Sequence, residues 1–481
     1  GGGGAGRRRA SAARRAAAAG APCGGGAGRA GARGGVATHG KALAWQTGAW
    51  HTGESVYPSG FPGFSATVTS PDTREKDRMT DTTIAPPQAE VRPAVREIGI
   101  IMNGVSGRMG YRQHLVRSIL AIRDQGGIVL SDGTKVTVKP LLVGRSEAKL
   151  ADLADKHGIE DYTTDLDAAL ADPRWEIYAD FLVTKARSAA LRKAIAAGKT
   201  IYTEKPTAET AAEALELAKL AAAAGVKTGV VHDKLYLPGL QKLKRLIDSG
   251  FFGRILSVRG EFGYWVFEGD WQPAQRPSWN YRTEDGGGII VDMFPHWNYV
   301  MENLFGEVKS VYAQAAVHIA DRWDENGEHY TATAEDAAYG IFELEGDPEH
   351  GNIVAQINSS WTVRVNRDEL VEFHVDGTHG SAVVGLFGAK IQHRNATPKP
   401  VWNPDLADDH DYDADWAAVP TNDVFQNGFR QQWEEFLESY VLGTDYAFDL
   451  LSGARGVLLA EAGLESSREG RKVELPALSL D

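Results

Sequence analysis

The sequence has a single cysteine and no long apolar run, and each absence excludes a class of protein. With Cys23 as its only cysteine, the chain of 481 residues cannot form an internal disulfide or a thiolate metal centre. A reducing, cytoplasmic location is therefore expected. No stretch approaches the roughly 20 apolar residues of a membrane-spanning helix, so no membrane partner is expected. Charged residues at 24% and hydrophobic residues at 43% are typical of a globular protein.

Charge is distributed unevenly along the chain. Residues 1–78 contain eleven Lys and Arg against four Asp and Glu, a net charge of +7. Since the whole chain carries −13, the remainder carries −20. An acidic surface repels phosphate backbones, so we expect no nucleic-acid partner for residues 79–481.

Residues 1–94 are predicted to form a disordered leader, because runs such as Gly1–Gly4 and Ala16–Ala19 offer almost no aliphatic side chains to bury. Three explanations stay open. The arginine-rich start is a twin-arginine export signal with a poor apolar core, or a basic nucleic-acid-binding arm without interleaved aromatics. The third, which we favour, is that Met79 is the true start and that the upstream residues were translated by mistake.

Residues 95–231 alternate between strand and helix patterns. The apolar run Ile98–Ile101 precedes a glycine turn and a predicted helix from His114 to Arg123, the context in which a dinucleotide-binding fingerprint has meaning. Met102 stands where the first glycine of that fingerprint would be, so a tight turn without a ligand stays open as an alternative. The residues expected to contact a pyrophosphate in this turn are Asn103, Gly104, Val105, Ser106 and Gly107.

A second predicted strand, Val136–Val143, ends at Gly144 and is followed by Arg145 and Ser146. An acidic side chain here would bind the ribose hydroxyls of NAD, whereas Arg beside Ser suits the 2′-phosphate of NADP. No acidic residue occurs before Glu147, so the pattern favours NADP over NAD as the cofactor. The alternative is that Arg145 stacks on adenine or points into solvent.

Further alternation places polar residues at more strand ends. Strands are predicted over Ile177–Val183 and Thr200–Thr203, with a helix over Ala189–Ala197 between them. The pattern predicts an α/β fold with a doubly wound parallel sheet, whose ligands lie beyond the carboxyl ends of the strands. The residues at these ends that we expect to contact the cofactor are Thr184, Glu204 and Lys205.

Residues 232–481 are predicted to form a second domain of the α+β type. Extended segments are longer there, and along Leu370–Val375 apolar residues alternate with polar ones. Such alternation is typical of a strand with one buried and one exposed face. The second domain is therefore expected to contain a large open sheet, mixed or antiparallel.

Two separated motifs resemble the signatures of one known family. The segment Ala196–Pro206 ends in Glu-Lys-Pro, and Gly286–His296 has a glycine run followed by Asp, three residues and His. Both are similar to motifs of the Gfo/Idh/MocA oxidoreductases, and the resemblance covers about residues 97 to 475. It implies a Rossmann domain, a nicotinamide cofactor and a small polyol substrate such as a sugar or cyclitol. It also implies a homodimer or homotetramer formed through the C-terminal sheet.

Two segments depart from the family pattern. Lys185–Arg187 follows the third strand, where Thr-Pro-Asn is usual, and Asp233–Leu235 stands where Asn-Arg-Phe is common. The family resemblance alone therefore does not define the contacts at the nicotinamide edge or the identity of the substrate.

Asp292 and His296 are four residues apart, which places both side chains on one face of a helix. Pro295 suits only a first turn, so this helix is predicted to start near Val291 or Asp292. In an oxidoreductase, His296 would take the hydroxyl proton and Lys205 would stabilise the developing alkoxide. Asp292 would orient the substrate or His296. A helix cap at Asp292 and a half-buried structural histidine are the alternative.

An aromatic-rich insert, Tyr264–Arg282, precedes the glycine run. Aromatic faces stack on sugar rings and Arg can bind hydroxyls, so this insert is a candidate pocket wall, although packing of its aromatics in the core is the alternative. The residues predicted to bind substrate are Trp279, Arg282, Asp292 and His296.

The acidic stretch Asp408–Asp415 lacks the glycine and the closing glutamate of a calcium loop, so no metal is expected.

The motifs together predict an NAD(P)-dependent oxidoreductase that moves a hydride between nicotinamide and a secondary alcohol or ketone of a sugar, cyclitol or sugar derivative. Two alternatives stay open: a reductase of a keto-sugar or imine-type substrate, and a homologue that senses nucleotide without turnover.

Overall fold

The computed structural model describes residues 94–420, 425 and 427–481. The leader predicted over residues 1–94, including a start at Met79, lies outside this range except for its last residue, Ala94. No helix within the described ranges combines the length and the apolar character that a bilayer span requires.

Short buried strands alternate with helices in the first half of the described chain. Its elements in chain order are β1 (Val95–Asn103), a π-helical segment (Gly110–Leu120) that continues as α1 (Ala121–Asp124), β2 (Ile128–Val129), β3 (Lys135–Val143), α2 (Glu147–His157), β4 (Asp161–Thr163), α3 (Leu166–Ala171), β5 (Ile177–Asp180), α4 (Thr184–Ala196), β6 (Thr200–Thr203), α5 (Ala211–Ala223) and β7 (Thr228–Val230).

These strands form one seven-stranded sheet in the order β2, β3, β1, β5, β6, β7, with β4 also paired to β3. All pairings are parallel except that of β2 with β3. Because the chain winds outward from β1 on both sides, the carboxyl ends of β1, β3, β5 and β6 meet at one edge. The predicted doubly wound parallel sheet is confirmed.

Three boundary predictions in this half are wrong. The helix predicted from His114 already includes the π-helical segment from Gly110, because the Tyr111 N–H bonds the Gly107 carbonyl at 2.8 Å. Strand β5 ends at Asp180 rather than Val183, and α4 begins at Thr184 rather than Ala189. The physical reason is a buried ion pair, since Arg187 Nε in the first turn of α4 lies 2.9 Å from the Asp180 carboxylate. This contact joins the end of the strand to the start of the helix, and local propensity gives no sign of it.

Longer strands dominate the second half. Its elements in chain order are α6 (Pro238–Asp248), β8 (Ile255–Gly263), α7 (Ile289–Leu304), β9 (Val308–Ala316), β10 (Asp321–Trp323), β11 (His329–Thr331), β12 (Ala337–Asp347), β13 (Gly351–Ser360), β14 (Val371–Gly377), β15 (Gly380–Val384), β16 (Ala389–His393), β17 (Ala417–Ala418), α8 (Gly428–Leu442), α9 (Leu450–Glu469) and β18 (Val473–Glu474), with short 3₁₀ turns over Asp233–Tyr236, Ser278–Tyr281, Thr283–Asp285 and Arg394–Ala396.

Nine of these strands form a second sheet in the order β17, β16, β15, β14, β8, β13, β12, β9, β18. Only β8 and β13 run parallel, so the predicted large mixed sheet is confirmed. Burial alternates along β12 and β13, which gives the sheet one covered and one exposed face. Helices α7 and α9 lie on the covered face, where Phe294 of α7 packs edge-on against Phe342 of β12.

The last two helices return to the seven-stranded sheet. Helix α8 contributes side chains to the apolar core on one face of that sheet, which also contains Ile98 and Ile100 of β1. Helix α9 contributes to the core on the other face. The residues involved are Phe429, Trp433, Phe436, Leu437, Leu450, Ala454 and Val457.

Candidate active site

The glycine turn after β1 lies at the carboxyl edge of the seven-stranded sheet. Gly104 has a φ of 84°, and a Cβ there would lie 2.9 Å from the backbone of Phe181, so only glycine fits. Ser106 and Gly107 are exposed, whereas Val105 is buried and anchors the turn. An exposed glycine turn ahead of a helix fits the phosphates of a dinucleotide.

The side chain of Asn103, which we expected at the cofactor, faces the protein interior instead. It donates to the Tyr178 hydroxyl at 2.9 Å, and Tyr178 donates to the Asp180 carboxylate at 2.7 Å. The Asp180–Arg187 ion pair continues this network. Arg187 also donates to the backbone carbonyl of Pro206. The network therefore holds in place the loop that follows β6.

Arg145 and Ser146 follow β3 at the same edge of the sheet. Arg145 is exposed, and in the described part of the chain no hydrogen bond or ion pair holds its guanidinium. The Ser146 hydroxyl accepts from the backbone N–H of Lys149 at 3.5 Å and caps α2. Thr184 lies at the start of α4, beyond the end of β5. All three residues therefore lie where the doubly wound topology places a nucleotide.

Glu204 follows β6 and is buried. Its carboxylate lies 2.9 Å from His114 Nε2, and His114 Nδ1 accepts a hydrogen bond from the Trp433 indole at 3.1 Å. Because the indole N–H can only donate, Nδ1 carries no proton and Nε2 donates to Glu204. Burial would raise the pKa of Glu204, but the His114 hydrogen bond and the Lys205 cation outweigh it and lower the pKa. The Glu204 side chain is thus an anion bonded to the protein itself.

Lys205 and Asp292, one from each motif, contact each other directly. Lys205 Nζ lies 3.0 Å from Asp292 Oδ1 and 2.8 Å from the Asp292 backbone carbonyl. Arg276 Nη2 lies 2.8 Å from Oδ2, and its guanidinium stacks on the Trp361 ring at 4.0 Å. Burial would raise the pKa of Asp292, but the Lys205 and Arg276 cations outweigh it and hold the pKa well below its usual range. A permanent carboxylate therefore holds Lys205 in place.

Helix α7, which carries both residues of the second motif, begins earlier than predicted. It starts at Ile289, and Pro295 lies inside it. The start is fixed by a distant residue, because the Glu335 backbone carbonyl accepts from the Ile289 N–H and the Glu335 carboxylate from the Ile290 N–H, both at 3.0 Å. Gly288 has a φ of 123°, and a Cβ there would lie 2.4 Å from that carboxylate. Glycine at position 288 therefore leaves the space that the Glu335 carboxylate needs to cap the start of α7.

His296 is buried, and its Nδ1 lies 2.7 Å from the Tyr299 hydroxyl, almost one turn further along α7. Burial lowers the pKa of His296 well below its usual value, and the Lys205 and Lys234 cations lower it further. The imidazole is therefore neutral near pH 7 and can accept a proton. Within the described residues no hydrogen bond joins Asp292 to His296, so the partner that orients His296 is Tyr299.

The insert contacts the second motif through Arg276. Trp279 and Arg282 of the same insert were predicted to bind substrate, which stays a prediction. Trp279 is about half exposed, and the Arg282 guanidinium lies over the Tyr330 ring at 4.6 Å. Among the described residues, neither forms a hydrogen bond or ion pair with the three predicted catalytic side chains. Arg276 was missed because no motif marks it. Tyr299 was missed although its spacing from His296 on a helix was a usable signal.

The site therefore places a lysine, held by a carboxylate, near a neutral buried imidazole at the edge of a nucleotide-binding sheet. A cation can stabilise charge that develops on an alcohol oxygen, and a neutral imidazole can accept its proton. These are the two tasks that alcohol oxidation requires of the protein while the cofactor takes the hydride.

Two family models match the chain. Residues 100–232 match an oxidoreductase family with an NAD-binding Rossmann fold, and residues 240–383 match the Gfo/Idh/MocA C-terminal domain. The two matches coincide with the seven-stranded sheet and with most of the nine-stranded one.

A D-xylose dehydrogenase of Paenarthrobacter nicotinovorans is 61% identical over 383 residues, which are 80% of this chain and 98% of that protein. A solved levoglucosan dehydrogenase, in complex with NADH and L-sorbose, superimposes with a TM-score of 0.64 at 19% identity, over 80% of this chain and 99% of its own. An NAD-binding oxidoreductase from Klebsiella pneumoniae gives 0.65 at 22% identity, over 80% and 100%. At these identities the two solved structures support the fold alone.

The family models and the long, highly identical relative agree with the site geometry. The chain belongs to the Gfo/Idh/MocA family, and it is a nicotinamide-dependent oxidoreductase that transfers a hydride between the cofactor and a CH–OH group of a sugar or sugar derivative.

Proposed function

We propose that this enzyme oxidises D-xylose. The observation that carries the proposal is the 61% identity to a D-xylose dehydrogenase over 98% of that protein's length. So high an identity over both domains leaves little room for a rebuilt substrate pocket. The pairing of Lys205 with Asp292, beside a neutral His296, supports the same reaction.

Lys205 and His296 divide the work at the reacting hydroxyl. Asp292 uses two of the three N–H donors of Lys205, through its carboxylate and its carbonyl, which leaves the third for the substrate oxygen. That cation stabilises the alkoxide as it forms. His296 accepts the hydroxyl proton at Nε2, because its Nδ1 is bonded to Tyr299. The bound nicotinamide supplies the hydride acceptor, at the sheet edge where Thr184 and Lys205 lie.

We infer that the reacting carbon is the anomeric one. In the ring form of D-xylose the anomeric CH–OH carries a second oxygen, which stabilises the positive charge that develops as hydride leaves. The product is then a lactone, whereas oxidation at another ring carbon gives a keto-sugar. The two products have different masses after hydrolysis, since the lactone takes up water to become an acid.

NADP is the cofactor we propose, rather than NAD. Exposed Arg145 lies beside Ser146 beyond β3, and Glu147 is the first acidic residue after that strand. A guanidinium attracts the 2′-phosphate of NADP, whereas NAD binding usually relies on a carboxylate at this position.

An Arg145→Asp substitution should weaken NADPH binding at least tenfold and spare NADH. Quenching of intrinsic fluorescence during titration measures both affinities. Equal binding of the two cofactors by the parent enzyme would defeat the preference.

Absorbance at 340 nm tests the activity. We expect reduction of the cofactor with D-xylose to exceed that with levoglucosan, inositols and sugar acids, and mass spectrometry to detect the five-carbon sugar acid. A keto-sugar product would refute the anomeric carbon and leave the substrate standing. Faster turnover of another polyol would overturn D-xylose itself. Oxidation of the reduced cofactor by keto-sugars, without any polyol oxidation, would favour the reductase alternative.

The assembly and location we propose are a homo-oligomer in the cytoplasm. The exposed face of the nine-stranded sheet carries Tyr339, Ile341 and Val354, which are 40%, 50% and 51% exposed. Apolar side chains clustered on a sheet face suit burial against a second copy of the chain. The single cysteine supports a reducing compartment.

A further inference from the structure

The Tyr299 hydroxyl lies between the buried imidazole and a second carboxylate. It is 2.7 Å from His296 Nδ1 and 3.4 Å from Asp233 Oδ1. The other oxygen of Asp233 lies 2.6 Å from Lys234 Nζ. Asp233 is almost fully buried, whereas the Lys234 side chain is 27% exposed. A chain of polar groups therefore leads from His296 to the protein surface.

The direction of each hydrogen bond follows from what each group can donate. The Asp233 carboxylate can only accept, so Tyr299 donates its one proton to it. The Tyr299 oxygen also accepts from the Lys234 backbone N–H at 3.3 Å. His296 Nδ1 is then the donor to Tyr299, and the lone pair of His296 lies on Nε2. The hydrogen-bond network thus sets the tautomer that a general base needs.

We propose that Tyr299 and Asp233 form a proton relay, which carries the substrate's proton from His296 to the surface beside Lys234. The proposal rests on the role of His296 under the proposed function. The substrate O–H bond breaks as a bond from the proton to Nε2 forms. The Nδ1–H proton passes to the Tyr299 oxygen while the Tyr299 proton passes to Asp233. The electron pair of the substrate C–H bond leaves as hydride to the oxidised nicotinamide. Protonated Asp233 then releases its proton to solvent beside Lys234, whose ammonium stays charged throughout.

The surroundings of His296 explain why a relay is needed. Two cations, Lys205 and Lys234, face the imidazole from other elements, and Asp292 lies on its own helix. His232 stacks on the Tyr299 ring at 4.2 Å and an interplanar angle of 20°, and burial lowers its pKa to about 3, so it stays neutral. An imidazolium in this setting is costly. Moving the proton to the Asp233 carboxylate removes that cost.

Tyr299→Phe tests the relay because it removes the hydroxyl and keeps the buried ring. We expect turnover at pH 7 to fall about tenfold, since positioned proton transfer contributes at least that much. KM and cofactor affinity should stay unchanged. Turnover should recover as small buffer bases are added, and the solvent deuterium isotope effect should grow. Asp233→Asn, which keeps the shape and removes the acceptor charge, should give the same pattern.

A matched control is Tyr412→Phe, since Tyr412 is exposed and its hydroxyl bonds Asp408 within an exposed loop. We expect it to change none of these readouts. If Tyr299→Phe and Asp233→Asn keep the parent pH profile, isotope effect and buffer dependence while His296→Ala abolishes turnover, the relay is refuted and the proposed function stands. If these two variants only melt at a lower temperature, while the pH profile, isotope effect and buffer dependence stay unchanged, Tyr299 and Asp233 have a structural role and the relay is also refuted. If His296→Ala stays active, the proposed function itself fails.

Discussion

Lys205 is the residue on which the site's electrostatics converge, because it touches Asp292 twice and lowers the pKa of both Asp292 and His296. Lys205→Met should fold normally and lower turnover by about 10²–10³, the usual cost of removing one charge-stabilising donor. Steady-state rates at 340 nm measure this. Lys244→Met, which breaks an exposed pair with Asp248, is the control. Activity above a tenth of the parent would remove Lys205 from the mechanism.

We predict that Arg276 helps to set the pH at which activity is lost in acid. Its cation is one of the two that lower the pKa of Asp292, so in Arg276→Met that pKa should rise. The acid limb of the profile of kcat/KM against pH should then shift to higher pH. Arg364→Met removes a similar stack, 4.1 Å over Trp265, without contacting Asp292, and should leave the limb in place. Identical acid limbs in the parent and Arg276→Met would contradict the tuning.

His232 makes stability depend on pH in a definite direction. Burial lowers its pKa from 6.5 to about 3, so below pH 6.5 the unfolded chain binds a proton that the folded one refuses. The free energy of unfolding should therefore fall as pH drops from 6.5 to 3, by about 1.4 kcal/mol per pH unit for this one proton. In His232→Gln the slope between pH 6 and 5, from urea unfolding, should be shallower by about that amount. His329→Gln, at an exposed site, should keep the parent slope.

The sequence identified only those site residues that lie within short motifs. Lys205, Asp292 and His296 lie in two short motifs, so the sequence marked them as candidates and the motifs together suggested their roles. Arg276 lies sixteen residues before Asp292 on an irregular insert, and only the path of that insert brings the two together. Tyr299 and Asp233 are joined by the docking of a 3₁₀ turn onto α7, which no spacing encodes.

Helix α8 supports the segment that follows β6 through one side chain. Trp433 is fully buried, packs 3.9 Å from the Tyr202 ring and donates to His114, which in turn holds Glu204. Trp433→Ala should cost about 3–5 kcal/mol of stability and weaken cofactor binding.

Trp433→Phe separates the two roles of this side chain. It keeps an aromatic ring and loses the indole donor, so it should cost only about 1 kcal/mol. Urea unfolding and cofactor titration distinguish the two substitutions. Trp402→Ala, at 89% exposure, is the control. Equal costs for Ala and Phe at position 433 would mean that packing contributes nothing.

At the level of elements, the sequence pattern predicted α2 and α3 with their observed bounds and missed the starts of α4 and α7. Helix α4 begins at Thr184 because Arg187 reaches back to Asp180, and α7 begins at Ile289 because Glu335 caps it. Both determinants are tertiary contacts. Pro295 misled the prediction because a proline inside a helix is tolerated once other contacts fix the helix.

The exposed face of the nine-stranded sheet predicts the assembly of the whole molecule. Ile341 is 50% exposed and pairs directly with Tyr312, which is itself 37% exposed. Ile341→Lys should lower the mass measured by light scattering from that of a dimer or tetramer, because a buried lysine in an interface is unpaired. Val401→Lys, in an exposed loop, should leave the mass unchanged. A parent protein of monomeric mass would refute this interface.

Because α8 and α9 insert into the two cores of the nucleotide-binding sheet, the order of synthesis conflicts with the order of packing. Residues 95–231 are synthesised before α8, yet the core that contains Ile98 and Ile100 of β1 gains Trp433 and Phe436 only when the residues from Gly428 onward emerge. A nascent chain arrested before Gly428 should remain open to protease and to chaperones that bind exposed apolar strands. The two apolar cores of the seven-stranded sheet should therefore be completed only after α8 and α9 have been synthesised.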